Sequence, residues 1–149
     1  MARSRQAAVK VYSIIDQPSR IDVLAPDQDK AKKVIKGDFE GRIEFKDVWF
    51  RYPTRPQQWV FKGLSLKIDQ KEAIAIVGES GSGKTTLINL MMRFYDPEFG
   101  TIFIDGVDIK RYNISELRER MGLVMQEPTL FNYSVKENLL YGNSIAENS

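Results

Sequence analysis

The sequence predicts a partial α/β domain in which a phosphate-gripping loop joins a buried strand to a helix, with an antiparallel β portion contributed by the first strands. Three observations predict it. Gly78-Glu79-Ser80-Gly81-Ser82-Gly83-Lys84-Thr85-Thr86 fits G-x-x-x-x-G-K-[ST], the phosphate loop of nucleotide-hydrolysing proteins. Its flanks suit that motif, because Ala73-Ile74-Ala75-Ile76-Val77 is a short apolar run of buried-strand type and Leu87-Ile88-Asn89-Leu90-Met91-Met92 continues as a helix. Ahead of it, Leu64, Leu66 and Ile68 alternate with Ser65 and Lys67, the pattern of a half-buried strand. The fold class is therefore a P-loop NTPase-type domain.

Each part of the loop has a physical task. Glycines at 78, 81 and 83 are expected to let the backbone take positive φ and curl so that successive N–H groups point inward. With the N-terminus of the following helix, those donors make an anion site for α- and β-phosphates. Lys84 is placed to meet the β- and γ-phosphates, and the Thr85 hydroxyl to ligate Mg²⁺.

The remaining elements follow in order. Ala7, Val11, Ile14 and Ile15 lie on one stripe of a short helix that Asp16-Gln17-Pro18 ends. Residues 17–38 are polar and carry Pro18 and Pro26, as a linker or loose arm would. The ordered domain is expected to begin at Gly41, dividing the chain into 1–40 and 41–149. A strand is expected over Arg42 to Phe50, with a polar interruption at Lys46-Asp47. Pro53 and Pro56 then force an extended turn, and Asp69-Gln70-Lys71 turns the chain toward the phosphate loop. After a break at Asp96-Pro97, Thr101-Ile102-Phe103-Ile104 reads as a strand and Asp105-Gly106 as a tight hairpin turn. Asn113 and Ser134 are N-caps, with Glu116 and Glu137 three residues on. Leu123-Val124-Met125 reads as a brief strand ending at Gln126.

Composition narrows the chemistry. The chain of 149 residues has 42% hydrophobic and 28% charged residues, ordinary for a globular domain. A net charge of +2 does not argue for nucleic acid, and the lysines at 30, 32, 33 and 36 are offset by Asp27, Asp29 and Asp38. With no cysteine, disulfides and thiolate metal sites are excluded; with no histidine, so is any mechanism that needs an imidazole from this chain. No apolar run approaches the ~20 residues of a membrane span, and no signal-peptide pattern opens the chain.

The phosphate loop alone does not choose among kinases, GTPases and motor ATPases; its neighbours do. Phe50-Arg51-Tyr52-Pro53-Thr54-Arg55-Pro56, Arg93-Phe94-Tyr95-Asp96-Pro97, Gly100-Thr101-Ile102-Phe103-Ile104-Asp105-Gly106 and Val124-Met125-Gln126-Glu127-Pro128 occur in that order. In combination they resemble the nucleotide-binding domain of ATP-binding cassette (ABC) transporters of the multidrug-resistance or exporter type, from about Gly41 to Gly142. The stretch before Gly41 resembles, more weakly, the connection from the last membrane helix of such exporters.

The resemblance implies roles. Tyr52 would stack on adenine; on chemistry alone, an aromatic in a turn near the loop can stack on a base or simply belong to the core or surface. Gln126 would reach Mg²⁺ and the attacking water, and open α/β sheets do place ligand groups at carboxyl ends of strands. Lys84 would act in the same chemistry. Residues Phe131 to Tyr141 would dock cytoplasmic loops of the transporter. The implied cofactors are ATP and Mg²⁺. The implied partners are the membrane domain and a second cassette in a head-to-tail dimer, without nucleic acid, at the cytoplasmic face of a membrane. The family's strand ending in Asp-Glu, its Leu-Ser-Gly-Gly-Gln-type signature and its switch histidine do not occur in this sequence. The Ile102–Asp105 stretch is a decoy for the Asp-Glu strand, since Gly106 follows it. The chain therefore reads as the front part of a cassette, ending after the glutamine loop, that binds ATP but does not hydrolyse it alone. The rivals are a nucleotide-binding module without turnover, a non-transport ABC ATPase, and a P-loop kinase or GTPase.

Overall fold

A computed structural model describes residue 21 and residues 39–127 and 130–141. The helix expected around Ala7–Ile15 and most of the linker lie outside the described residues. Strands β1 (Ile43–Phe50), β2 (Phe61–Ile68), β3 (Phe99–Ile104) and β4 (Val107–Asp108) form one sheet in the order β2-β1-β3-β4. Every neighbouring pair is antiparallel. Helix α1 (Lys84–Met91) follows the phosphate loop, a 3₁₀ turn spans Ile109–Arg111, and short helices α2 (Ile114–Glu119) and α3 (Val135–Leu140) come later.

The polar interruption in β1 is a bulge. Pairing slips between Phe45 and Val48 on the β2 side and between Lys46 and Trp49 on the β3 side, and Asp47 takes a positive φ of 47°. One extra residue shifts the side-chain alternation. Phe45, Val48 and Phe50 thereby share the buried face, although strict alternation would separate 45 from 48. They pack with Ile102 and Ile104 of β3, Leu87 and Leu90 of α1, and Leu117 of α2. The core thus seats α1, and with it the phosphate loop, against the sheet.

The Asp105-Gly106 turn forms as expected, with φ of 49° and 72° at its two residues. Asp105 has a second task. Its carboxylate accepts the N–H groups of Glu40, Gly41 and Arg42 at 3.1, 3.3 and 2.9 Å, fixing the start of β1. Tyr112 donates its buried hydroxyl to the Ile104 carbonyl at 2.9 Å, and burial raises its phenol above the ordinary value. Both N-caps also form: Asn113 accepts from Ser115 and Glu116, and Ser134 with Glu137 makes a reciprocal capping box.

Two expectations are corrected. Residues 73–77 and 123–125 carry no strand pairing, and Val77 and Val124 are 88% and 93% exposed. A parallel-sheet strand is held only by hydrogen-bonded neighbours and by cover on both faces. Neither run finds a ladder partner among the described residues, so local apolar character is not enough to make it a strand.

Gly100 marks where the bulge is locked. Its φ is +80°, and a Cβ there would collide with the backbone carbonyl of Asp47. Gly100→Ala is expected to lower stability by more than ~2 kcal/mol, from a left-handed conformation combined with a backbone clash. Chemical unfolding of the two proteins reads this, and equal midpoints would show that the bulge tolerates a side chain.

Candidate functional site

A cleft of about 430 Å³ opens between the turn that follows β1 and the phosphate loop. Three sequence-distant pieces meet in it: Tyr52 from the turn, Ser80, Gly81 and Gly83–Thr86 from the loop and α1, and Gln126. Most residues that the sequence singles out for base, phosphate and metal are thus brought together, even though the run ahead of Gln126 is not a strand. Gly78, Glu79 and Ser82 belong to the loop but do not line the cleft.

The loop's glycines are required for different reasons. Gly83 has φ of +100°, and a Cβ there would press to 2.9 Å from both Val60 Cγ1 and Phe61 Cε1. Gly78 does not take the positive φ expected of it, and the Cβ it lacks would lie 2.7 Å from Ser82 Oγ, a hydroxyl that can rotate away, so glycine is least demanded there. Gly81, at φ +82°, has open space around it, so only its backbone angle asks for glycine. Lys84 Nζ donates to the carbonyls of Gly78 at 2.8 Å and Glu79 at 2.6 Å. An ammonium has three N–H donors, so two bonds aim the side chain back over its own loop and leave one donor for a ligand. Ser82 N–H donates to Glu79 O at 3.2 Å, closing the loop's turn. Helix α1 is entered through Gly83, with no side-chain cap and no acidic residue in its first turn. Its first turn carries N–H groups without intrahelical acceptors, as any helix start does.

Tyr52 is fixed by contacts that sequence reasoning misses. Its hydroxyl lies 2.9 Å from Thr86 Oγ1 and accepts from Asn89 Nδ2 at 3.2 Å. Its ring stands edge-on to Phe50 and Tyr95, with centroids 5.0 and 5.2 Å away. Thr86 lines the cleft, yet it is only 5% exposed and its hydroxyl is committed to Tyr52. The signal for Asn89 was available only as a polar residue inside an apolar helix stretch.

The turn bearing Tyr52 is clamped by Arg51. Its guanidinium makes a two-point bond to the Glu98 carboxylate, both contacts at 2.7 Å, and donates to Pro56 O at 2.6 Å. It also lies 4.4 Å over the Trp59 ring. Glu98 is held below the ordinary carboxylate range, first by the hydrogen bonds from Arg51. Below the loop, Arg118 of α2 donates to Met92 O and Arg93 O, both at 3.0 Å, closing the end of α1.

Residues 130–141 present Leu130, Tyr133, Val135, Leu139 and Tyr141 to solvent. Asn138 shapes this segment, accepting from Phe131 N–H and donating to the carbonyls of Phe131, Tyr133 and Ser134. Among the described residues no helix is long and apolar enough to cross a membrane.

Residues 61–149 match the family described as ABC transporter. ABC transporter B family member 3 of Dictyostelium discoideum is 45% identical over 95% of this chain and 10% of its own length. ABC transporter B family member 14 of Arabidopsis thaliana is 45% identical over 98% of this chain and 11% of its own. Multidrug resistance protein homolog 65 of Drosophila melanogaster is 42% identical, again over 95% and 10%. The chain spans about a tenth of the length of these curated relatives. Among solved structures, a bacterial Atm1-family ABC exporter with ATP bound superposes with a TM-score of 0.76 at 33% identity, over 95% of this chain and 24% of that one.

The Arg51–Glu98 clamp has a pH signature. A carboxyl depressed by folding contributes stability that is complete above its unfolded value, about 4.3, and that is lost as pH falls through the lower folded value. Emission from Trp59 should therefore change on acidification below about pH 4, and Glu98→Gln should abolish most of that change. An unaltered fluorescence titration in Glu98→Gln would remove Glu98 as the clamp.

Proposed function

The chain belongs to the ABC transporter family, and on that premise we propose that it is the front part of a nucleotide-binding cassette that binds ATP with Mg²⁺ and, within the whole protein, drives export across a membrane. The observation that carries this reading is the convergence of Tyr52, the phosphate loop and Gln126 on one cleft. Relatives named as multidrug and B-family transporters, and a neighbour named as an ATP-bound exporter, support it.

In this reading Tyr52 offers a ring face to adenine, and its bonds to Thr86 and Asn89 hold that face in place. The loop amides and the N-terminus of α1 receive the α- and β-phosphates, and Lys84 meets the β- and γ-phosphates. Thr85 and Gln126 both line the cleft, and a hydroxyl and an amide oxygen are hard donors of the kind Mg²⁺ takes. No group of three or more carboxylate, histidine or cysteine side chains gathers among the described residues. These two neutral oxygens would therefore hold the ion together with phosphate oxygens. When bound, Mg²⁺ would supply charge neutralisation across the β- and γ-phosphates. Gln126 would also orient a water.

Residues 1–40 would connect the cassette to a membrane domain, placing it at the cytoplasmic face. The exposed apolar segment 130–141 would receive that domain's loops, and a second cassette would close over the nucleotide head to tail. By itself the chain would hold nucleotide without turning it over. The observation favouring this is that no carboxylate lines the cleft among the described residues, and a polarising base is normally needed to activate water.

Lys84→Ala is expected to weaken Mg²⁺–ATP binding by calorimetry at least tenfold, about 1.4 kcal/mol; equal affinities would remove the phosphate assignment. Tyr52→Ala should lose ~1–3 kcal/mol of ATP affinity while Tyr52→Trp largely retains it, and an undiminished Tyr52→Ala protein would return Tyr52 to a purely structural role. Phosphate release by the 149-residue chain should match that of its Lys84→Ala control. Lys84-dependent turnover would show that the chemistry needs no further carboxylate.

A further inference from the structure

A second cavity, of about 710 Å³, lies next to the cleft and shares Tyr52 with it. The turn after β1 contributes Tyr52, Pro53 and Pro56 to its wall, and the segment after α1 contributes Phe94, Tyr95 and Pro97. The wall is stiff, being made of proline rings and an aromatic cluster in which Tyr52 and Tyr95 stand edge to face. The Arg51–Glu98 fork borders it as well. Apolar rings beside an ion pair have the make-up of a docking surface, with an apolar centre and a polar rim.

Ile21 also lines this cavity. It is far in sequence from every other residue there, and it belongs to the polar stretch 17–38. Its immediate neighbours are charged, Arg20 on one side and Asp22 on the other. Ile21 is nevertheless half-buried. An apolar side chain set between two charges gains by leaving water only where an apolar surface receives it, and the rings of this wall supply one.

We propose that this cavity is the seat of the chain's own N-terminal arm, anchored by Ile21, and that the seated arm braces the aromatic wall bearing Tyr52. The proposal goes beyond the ATP reading and does not rest on it. Phe50 and Tyr95, the two rings edge-on to Tyr52, both line the cavity. A side chain seated among them restrains the same cluster that fixes the tilt of Tyr52. The arm is then held at Ile21 as well as where it enters β1.

The chain has no cysteine, so paired cysteines read the contact directly. Ile21→Cys is combined with Pro53→Cys or with Phe94→Cys, two exposed residues of the cavity wall. The control pair is Ile21→Cys with Lys67→Cys, an exposed position that pairs with Glu44 toward the other end of β1. With a short thiol cross-linker, the cavity pairs should couple within one chain about tenfold faster than the control, because a seated residue has a high effective concentration at its seat. Amide hydrogen exchange then compares the parent with Ile21→Leu and Ile21→Asp. Ile21→Asp should speed exchange several-fold at residues 50–56 and 94–98 and leave residues 113–119 unchanged; Ile21→Leu should match the parent. Cavity pairs that couple no faster than the control would overturn the proposal. So would a product that links two chains, which assigns the seat to a second copy. Unaltered exchange in Ile21→Asp would also overturn it, since the arm would then brace nothing. If thermal unfolding shows that a cysteine pair does not fold, the exchange comparison decides. None of these measurements involves ATP, so a failure here leaves the ATP reading standing.

Discussion

The site depends on one hydroxyl. Tyr52 extends from the turn after β1, and its oxygen lies between Thr86 and Asn89 on the first two turns of α1. Without that link, the aromatic wall would be joined to the phosphate loop through the shared core and the packing of Val60 and Phe61 near Gly83. Hydrogen bonding here makes one cleft of two chain segments that are 34 residues apart. The polar groups concerned are half-buried or buried, where an unpaired donor or acceptor costs about 1–3 kcal/mol. The geometry is thus favoured over a ring that swings free, and the same bonds that satisfy Thr86 and Asn89 aim Tyr52.

Support for that hydroxyl spreads outward in layers. Phe50 and Tyr95 stand edge-on to the Tyr52 ring and fix its tilt. The Arg51–Glu98 fork holds the turn from outside, and Glu98 N–H donates to Trp49 O at 2.9 Å, extending β1's contacts to the segment before β3. At the far end of α1, Arg93 takes φ of 50° where glycine is usual. Its N–H and that of Phe94 bond back to Leu90 O and Asn89 O, which ends the helix one turn beyond the residue that bonds Tyr52. Arg93 compensates for its unfavourable backbone through Asp96, at 3.1 Å. Phe94, Tyr95 and Asp96, legible in the sequence only as part of a family pattern, thus have separate mechanical tasks.

Features governed by local chemistry were legible in the sequence. The Asp105-Gly106 turn, both N-caps and the glycine loop follow from backbone angles and from hydrogen bonds between residues a few positions apart. The bulge was visible as a polar interruption at Lys46-Asp47, though its consequence, moving Val48 onto the face of Phe45, requires the ladder registers. What could not be read was non-local. Residues 73–77 and 123–125 have the apolar character of buried strands, but a strand is a property of a pair, and pairing cannot be seen in one segment. Similarly, Asp105 was legible as a turn former, while its grip on three amides of residues 40–42 depends on a strand pairing across more than sixty residues. On its own chemistry Tyr52 read more readily as a core or surface tyrosine, and its packing against the core and its bonds to α1 were not visible in the sequence.

Electrostatics at the start of α1 give the cleft its direction. The N-terminus of a helix carries a partial positive charge and is normally offset by a capping side chain or an acidic residue in the first turn. Here the cap position is Gly83, there is no acidic residue in the first turn, and the first helical residue is the cation Lys84. By the rules that stabilise ordinary helices this end is built backwards. α2 and α3, by contrast, have Asn113 and Ser134 as caps, with Glu116 and Glu137 in their first turns. The same chain therefore follows the rule at two helices and breaks it at the one whose start lines the cleft. Packing of Leu87 and Leu90 into the core holds α1 in place despite its uncompensated end. The unfavourable potential is one that an anion would relieve, and in the proposed nucleotide-binding reading a phosphate chain would supply the charge that the sequence withholds.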